Sequence, residues 1–347
     1  MRQLFAVAPG KLEVKEVPMP VAEDDKVLIK ISASGICHSD LHIADGDWAM
    51  TMGTTYPATL GHEGIGVVQE LGPNAGKLVK VGDRVMFGLG GAGGSDWCGA
   101  CEYCFAGKTM HCANAVMLMS TMAEYIAVKE KALVVVPDAI KDTDAPLSCA
   151  GITTYSAVKK VFKFGVSAGQ KVAIIGAAGG LGHYAVQFAK VFGYKVVGVD
   201  IGDPDKLEFI KSIGADYAVG VADAMKVVMG EMGGVHAAIV FSPSSESFEV
   251  ALGIVRKGGV VVGVSLPPET ERPIGISELM MVFKDMTYMA SLVGNVQEMR
   301  ELIAIAAEGK IKTEISRVVS LDEVGGVFDD MRARKIKGRC VIDMSRK

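Results

Sequence analysis

Short alternations of apolar and polar positions dominate the first ninety residues. Lys26 to Ile31, Gly64 to Leu71 and Gly82 to Met86 each have this pattern, with Pro and Gly turns between them. Period-two alternation between turn residues predicts β-strands, so this region reads as all-β. Residues 90–115 read as a lobe rich in Gly and Cys, and Ala123 to Val128 as one more strand.

Near residue 143 the period changes. Asp144 to Ala150 opens a helical pattern that Gly165 to Gly169 closes. Lys171 to Ile175 is then a continuous apolar run of the kind a fully buried parallel strand needs. It enters the turn Gly176-Ala-Ala-Gly179-Gly180-Leu181-Gly182 and a helix from His183 to Phe192. A second buried strand, Lys195 to Val199, ends in Asp200, and Ala237 to Phe241 and Gly259 to Val264 follow with helical patterns between. Strands alternating with helices predict βαβ units and a parallel sheet. The tail adds helices at Gln297–Glu308 and Asp322–Arg334 and a last strand, Arg339–Asp343. The fold class is α/β, a doubly wound parallel sheet joined to a β-rich domain.

Composition narrows the function. With 347 residues, 50% of them hydrophobic and 22% charged, the chain has material for roughly two domains. A net charge of −4 without a basic stripe disfavours nucleic acid and anionic membranes as partners. Mean hydropathy is +0.32, but Gly, Lys or Asp breaks every long apolar run short of a membrane span. The N-terminus passes straight into strand-like alternation without a signal-peptide core, so a cytoplasmic protein is expected.

In a reducing compartment, clustered cysteines read as metal ligands rather than disulfides. Cys98-x-x-Cys101-x-x-Cys104-x₇-Cys112 can close a tetrahedral four-thiolate site in a Gly-rich loop. An iron–sulfur cluster uses the same donors, and a structural zinc is preferred because a second zinc-type set lies nearby. That set is Cys37-His38-Ser39-Asp40-Leu41-His42, answered by Gly61-His62-Glu63. Cys, His and Glu are the donors zinc favours, and a catalytic zinc keeps one position open. The turn 176–182, between a buried strand and a helix, suits a dinucleotide, its glycines letting the backbone approach a pyrophosphate. Asp200 closing the next strand favours NAD over NADP, because a carboxylate there accepts from ribose hydroxyls and repels a 2′-phosphate.

Together with Cys149-Ala-Gly-Ile-Thr153, these motifs resemble the zinc-dependent medium-chain alcohol dehydrogenases over the whole chain. Gly46-Asp47-Trp48 and Gly338 to Asp343 match the tetrameric microbial ethanol-type branch in style. The resemblance implies a GroES-like catalytic domain built from residues 1–150 and 293–347, a Rossmann domain at 151–292, and an active site in the cleft. It implies two zinc ions per chain: a catalytic one on Cys37, His62 and Cys149 with Glu63 close behind, and a structural one on Cys98, Cys101, Cys104 and Cys112. Glu63 would ligate the metal when the site is otherwise empty. Asp40 would orient His62, and Ser39 with His42 would form a proton relay.

For NAD it implies His38 and Arg339 at the pyrophosphate and Asp200 with Lys206 at the adenosine ribose. Thr153 would meet the nicotinamide, with Val264, Ser291 and Val293 as further contacts beside the turn Gly176, Gly179, Gly180, Leu181 and Gly182. Trp48 would narrow the substrate pocket. Cys340 matches no ligand position and reads as a buried strand residue.

The implied reaction is reversible hydride transfer from a primary or secondary alcohol to NAD⁺. A polyol, sugar or threonine dehydrogenase of the same family is the alternative, and Trp48 argues against its roomier pocket. A zinc-free reductase of this fold would lack Cys37, His62 and the four-cysteine lobe. A non-catalytic NAD-binding protein would not need Ser39 with His42. A homotetramer is expected, a homodimer being the alternative. Three departures stand out: the glycine turn is one residue longer than the commonest form, Ser120 to Tyr125 lacks a Gly-Gly pair, and 88–94 is unusually Gly-rich.

Overall fold

Strand Lys26–Ile36 is eleven residues long, and two partners share one of its edges while a third pairs along the other. In this computed structural model, which describes residues 1–88 and 95–346, the chain divides into two compact units. One comprises Met1–Ile152 and Val293–Lys347, the other Thr153–Leu292. Residues 89–94 of the Gly-rich run lie outside the described residues.

In the first unit a seven-stranded sheet runs in the order Ile315–Val319, Arg339–Asp343, Lys26–Ile36, Glu63–Leu71, Arg84–Gly88, Val134–Val135. The seventh strand, Tyr125–Lys129, pairs the first half of Lys26–Ile36, while Arg339–Asp343 pairs the second half. Both ends of the chain therefore build one sheet. Val27, Ile29 and Ile31 alternate inward against Val68, Val85 and Phe87, one strand period apart. A second cluster joins Leu4, Ile36, Leu41 and Trp48 to Val324, Phe328 and Cys340. Cys340 is a buried residue of the last strand.

An all-β reading of the first ninety residues is incorrect. Helix His38–Asp45 follows directly on the central strand, and a short helix, Ala49–Met52, comes after it. The helix is hidden because Asp40 and His42 occupy buried positions beside Leu41, Ile43 and Ala44. With polar groups inside, no apolar stripe of period 3.6 appears. Function has overwritten the pattern there.

The helical pattern near 144 also resolves into two pieces. Asp142–Ser148 is a 3₁₀ helix containing Pro146, and Ala150–Phe164 is an α-helix. Cys149 stands at the break between them, with φ −125° and ψ −65°.

In the second unit six parallel strands run in the order Tyr217–Gly220, Lys195–Asp200, Lys171–Ile175, Val235–Val240, Val255–Gly263, Thr287–Ala290. Val172, Ala173, Ile174, Val196, Val197, Ile239 and Val240 are fully buried. Burial on both faces is why these strands read as unbroken apolar runs rather than alternations. Each buried Val or Ile contributes about 1.5–3 kcal/mol. The sheet order reverses at Lys171–Ile175, and ligands of such sheets bind beyond the carboxyl ends of the strands at that point.

Candidate active site

The central strand delivers Cys37 to the start of helix His38–Asp45, where it is the N-cap residue. Asp40 organises the surroundings. Its Oδ2 accepts from Cys37 N at 2.9 Å, and its Oδ1 accepts from Gly61 N at 2.9 Å and lies 3.2 Å from His62 Nδ1. One buried carboxylate thus ties together the backbones of both donor segments and holds one ring nitrogen of His62. Gly61 has φ +91°, and a Cβ there would meet Met122 N at 2.5 Å, so the turn before His62 requires glycine. A Cβ at Gly35 would overlap the Glu63 carboxylate.

One donor atom from each of Cys37, His62, Glu63 and Cys149 lies within 4.8 Å of the others, and all four residues are buried. His62 Nε2 and Glu63 Oε1 have no hydrogen-bond partner among the described residues. Leaving such atoms buried and unpaired costs about 1–3 kcal/mol each. With Nδ1 facing Asp40, Nε2 is the nitrogen turned toward the two sulfurs. This donor set fits a zinc ion.

The electrostatics agree. The Cys37 thiol is held well below its ordinary range, first by hydrogen bonding with the Cys149 thiol and then, against burial, by His62. Cys149 is pushed well above the ordinary range by the same pairing and by burial. For His62 burial acts downward, but Asp40 and Cys37 outweigh it and the ring is raised well above its usual value. Glu63 is raised to about 7 by burial, which outweighs the Arg339 guanidinium bonded to its Oε2. Arg339, expected at a pyrophosphate, makes this contact within its own unit.

Thr121 was not singled out in the sequence. Its hydroxyl accepts from Glu63 N at 3.2 Å and meets Ser34 Oγ at 2.7 Å. The signal lay in Ser120 to Tyr125, where the missing glycines leave a side chain that can brace the site.

Around the entrance, Ser39 Oγ is 3.8 Å from Cys37 Sγ. His42 Nδ1 is 2.6 Å from Asp47 Oδ2, while its Nε2 is buried with no partner among the described residues. The ring packs against Trp48, centroids 4.5 Å apart, and against His38, 5.0 Å apart. Trp48 is buried against the first unit's core. His38 is lowered by burial and by His42.

The four lobe cysteines form a second cluster. Their sulfurs also lie within 4.8 Å of one another, with Cys101–Cys104 at 3.5 Å, Cys98–Cys112 at 3.6 Å and Cys98–Cys104 at 3.8 Å. A tetrahedron of 2.3 Å zinc–sulfur bonds has edges of about 3.8 Å, so the spacing fits. All four are free thiols. The Ala100 and Cys101 amides pull Cys98 down to about 6, whereas desolvation and the Cys101 thiol push Cys104 up to about 12.

In the second unit the glycine turn begins at Gly176, φ +83°. A Cβ at Gly182 would overlap Gly176 O, and Gly179 N donates to that same oxygen at 3.1 Å. Gly180 and Leu181 complete the turn, and Leu181 O accepts from Thr154 Oγ1 at 3.3 Å. Asp200 Oδ2 accepts from Ala178 N at 2.9 Å, and Lys206 Nζ stands 3.9 Å from Asp200 Oδ1. The Thr153 and Ser291 hydroxyl oxygens are buried without a partner among the described residues, and Val264 is buried too. Val293, in the first unit, has φ +44°.

A strand–turn–helix built for a dinucleotide and a buried cysteine–histidine donor set define a zinc-binding dehydrogenase. Two family models match: "Alcohol dehydrogenase GroES-like domain" over residues 23–138 and "Zinc-binding dehydrogenase" over residues 180–308. An alcohol dehydrogenase of Geobacillus stearothermophilus is 41% identical, covering 95% of this chain and 96% of its own. One from Schizosaccharomyces pombe is 34% identical over 99% of each. The solved alcohol dehydrogenase of Aeropyrum pernix is 29% identical with a TM-score of 0.89, covering 99% of this chain and all of that one. The chain belongs to the zinc-dependent medium-chain alcohol dehydrogenase family. It is an alcohol dehydrogenase with the GroES-like and Rossmann-type domains of that family.

Proposed function

We propose that the chain oxidises a small primary or secondary alcohol reversibly with NAD⁺, holding a catalytic zinc on Cys37, His62 and Cys149 and a structural zinc on the four lobe cysteines. The observation that carries this reading is the buried four-residue donor set, with His62 Nε2 unpartnered among the described residues. When bound, zinc supplies Lewis acidity that lowers the pKa of a hydroxyl presented to it, and NAD⁺ supplies the hydride acceptor.

The chain's own residues hold, orient and move a proton. Asp40 keeps His62 in one tautomer with Nε2 available. Glu63 remains within reach, its Oε2 accepting from the Arg339 guanidinium. Ser39 Oγ and His42 Nε2 are the proton-holding atoms of the relay. Asp200 and Lys206 take the adenosine ribose, and the carboxylate there favours NAD over NADP. Thr153 and Ser291 offer buried hydroxyls for the nicotinamide side.

We also read the protein as a cytoplasmic homotetramer. Among the described residues no helix is long and apolar enough to cross a membrane. Thr287–Ala290 is an open sheet edge, and Leu279, Val282, Phe283 and Leu292 are exposed nearby in sequence, which suits pairing with a second copy. Metal analysis and a panel of alcohols read at the NADH absorbance with both cofactors test the core reading. Two zinc ions per chain and NAD-linked turnover are expected. Full activity in zinc-free protein would overturn it.

A further inference from the structure

Helix His38–Asp45 ends in a way that its own stability does not require. Gly46, with φ +84°, is the left-handed C-cap, and its amide donates to His42 O and Ile43 O. Asp47 N adds a bond to His42 O at 2.9 Å. The backbone alone therefore satisfies the last turn. The Asp47 carboxylate is in a poor place for a helix, because the C-terminal end carries the negative pole of the dipole and favours cations. Nevertheless it turns back over the helix to His42 Nδ1, 2.6 Å away. The side chain is 37% exposed, while that of His42 is 7% exposed. A residue that opposes a local rule and pairs with a buried histidine is expected at a functional position.

We infer that Asp47 is a positioning residue for alcohol oxidation, fixing the His42 tautomer and stabilising its imidazolium. This rests on the proposed relay through His42. As His42 Nδ1–H donates to Asp47, the buried Nε2 is left as the bare acceptor. When Nε2 takes a proton, an N–H bond forms as the donor's O–H bond breaks, and the ring becomes a cation beside the Asp47 carboxylate. That proton then passes to water or buffer and the neutral ring is restored. Trp48 and His38 both pack against the ring, and Asp47, 2.6 Å from Nδ1, is its hydrogen-bond partner. The other titratable groups on this side of the unit are otherwise engaged. Asp45 is held by Arg332 at 2.6 Å, the Tyr56 hydroxyl donates to Ile43 O at 2.9 Å, and Arg339 is paired with Glu63. Cys37 belongs to the donor set, and His38 packs against His42 with the rings tilted by 58°.

The test is the pH profile of alcohol oxidation by zinc-loaded enzyme for Asp47→Asn, Asp47→Ala, Asp47→Glu, His42→Gln and the His42→Gln/Asp47→Asn double variant. A positioned base contributes ~10²–10⁴-fold, and its orienting partner a part of that. Asp47→Asn should therefore lower kcat about tenfold at pH 6–7 and progressively less toward pH 9, with KM for NAD unchanged. Asp47→Glu should recover part of the rate, and formate should restore Asp47→Ala. The double variant should be no slower than His42→Gln, because Asp47 acts only through His42. A pH-independent loss with a lowered melting temperature, or losses that multiply in the double variant, would assign Asp47 a structural role and overturn the inference. If His42→Gln itself keeps the wild-type profile, the relay reading fails. If His42→Gln shows the deficit and Asp47→Asn does not, only this inference fails.

Discussion

The two cysteine-bearing centres of the first unit use related donors in opposite surroundings. Cys37, His62, Glu63 and Cys149 are all buried, and a network of Asp40, Thr121, Ser34 and Arg339 holds their backbones and side chains in place. Cys98 is exposed, Cys101 and Cys104 half-buried and Cys112 buried; their fixed partners are one another and a few backbone amides. In the first centre the fold holds the donors. In the second, the donors meet one another inside a lobe that is tied at its base by Asp96 to Lys129 and Lys131. The difference fits the roles proposed for them: a reacting centre needs a dry, pre-set geometry, whereas a structural clip only has to close a lobe.

This contrast can be broken most sharply at His62. His62→Ala should reduce kcat/KM for alcohol oxidation by ~10³-fold or more, the several kcal/mol that Lewis-acid catalysis supplies. NADH binding, followed by fluorescence titration, should persist, because the glycine turn and Asp200 belong to the other unit. Loss of NADH binding in a folded variant would end that division of labour.

Cys101→Ser should do the reverse. Weakening the lobe by about 3 kcal/mol would lower the melting temperature by roughly 6–12 °C, at about 2–4 °C per kcal/mol for domains of this size. At 25 °C kcat should remain near wild type. An unchanged melting temperature with a lost kcat would show the lobe to be something other than a clip.

Glu63 sharpens the comparison through pH in the metal-free protein. Its folded carboxyl holds a proton up to about 7 against an ordinary 4.5. Folding therefore takes up a proton between those values, and this stabilising contribution, complete below about 4.5, is lost as pH rises through about 7. The full interval is equivalent to ~3 kcal/mol at most. Denaturant melts of metal-free protein at pH 5 and 7.5 should show wild type losing more stability than Glu63→Gln. A wild type that gained on the variant with rising pH would mean that Arg339 outweighs the burial.

Much of this was legible in the chain. The strands Lys171–Ile175 and Arg339–Asp343 are where the apolar patterns put them, because burial on a sheet face leaves a simple local signature. The cysteine spacings and the glycine turn were equally plain, as metal and phosphate chemistry restrict residue type and separation together. Helix His38–Asp45 was not legible, since its inward positions carry Asp40 and His42 rather than an apolar stripe. Nor was the bracing by Thr121, which a missing pair of glycines only hinted at.

What the sequence by itself determined is the inventory: the α/β class, two clusters of residues able to hold a metal, a glycine-rich turn between strand and helix, and a carboxylate at the end of the second buried strand. These depend on neighbours within about a dozen residues, whose spacing the backbone geometry converts directly into chemistry. Only the tertiary structure decided which groups share a site. Cys149 reaches Cys37 from a break between two helices, Arg339 crosses 276 residues of chain to Glu63, and Asp47 folds back on His42. Those partnerships depend on sheet order and on one left-handed glycine, and neither the pairing of distant strands nor the direction of a turned-back side chain is encoded in local pattern.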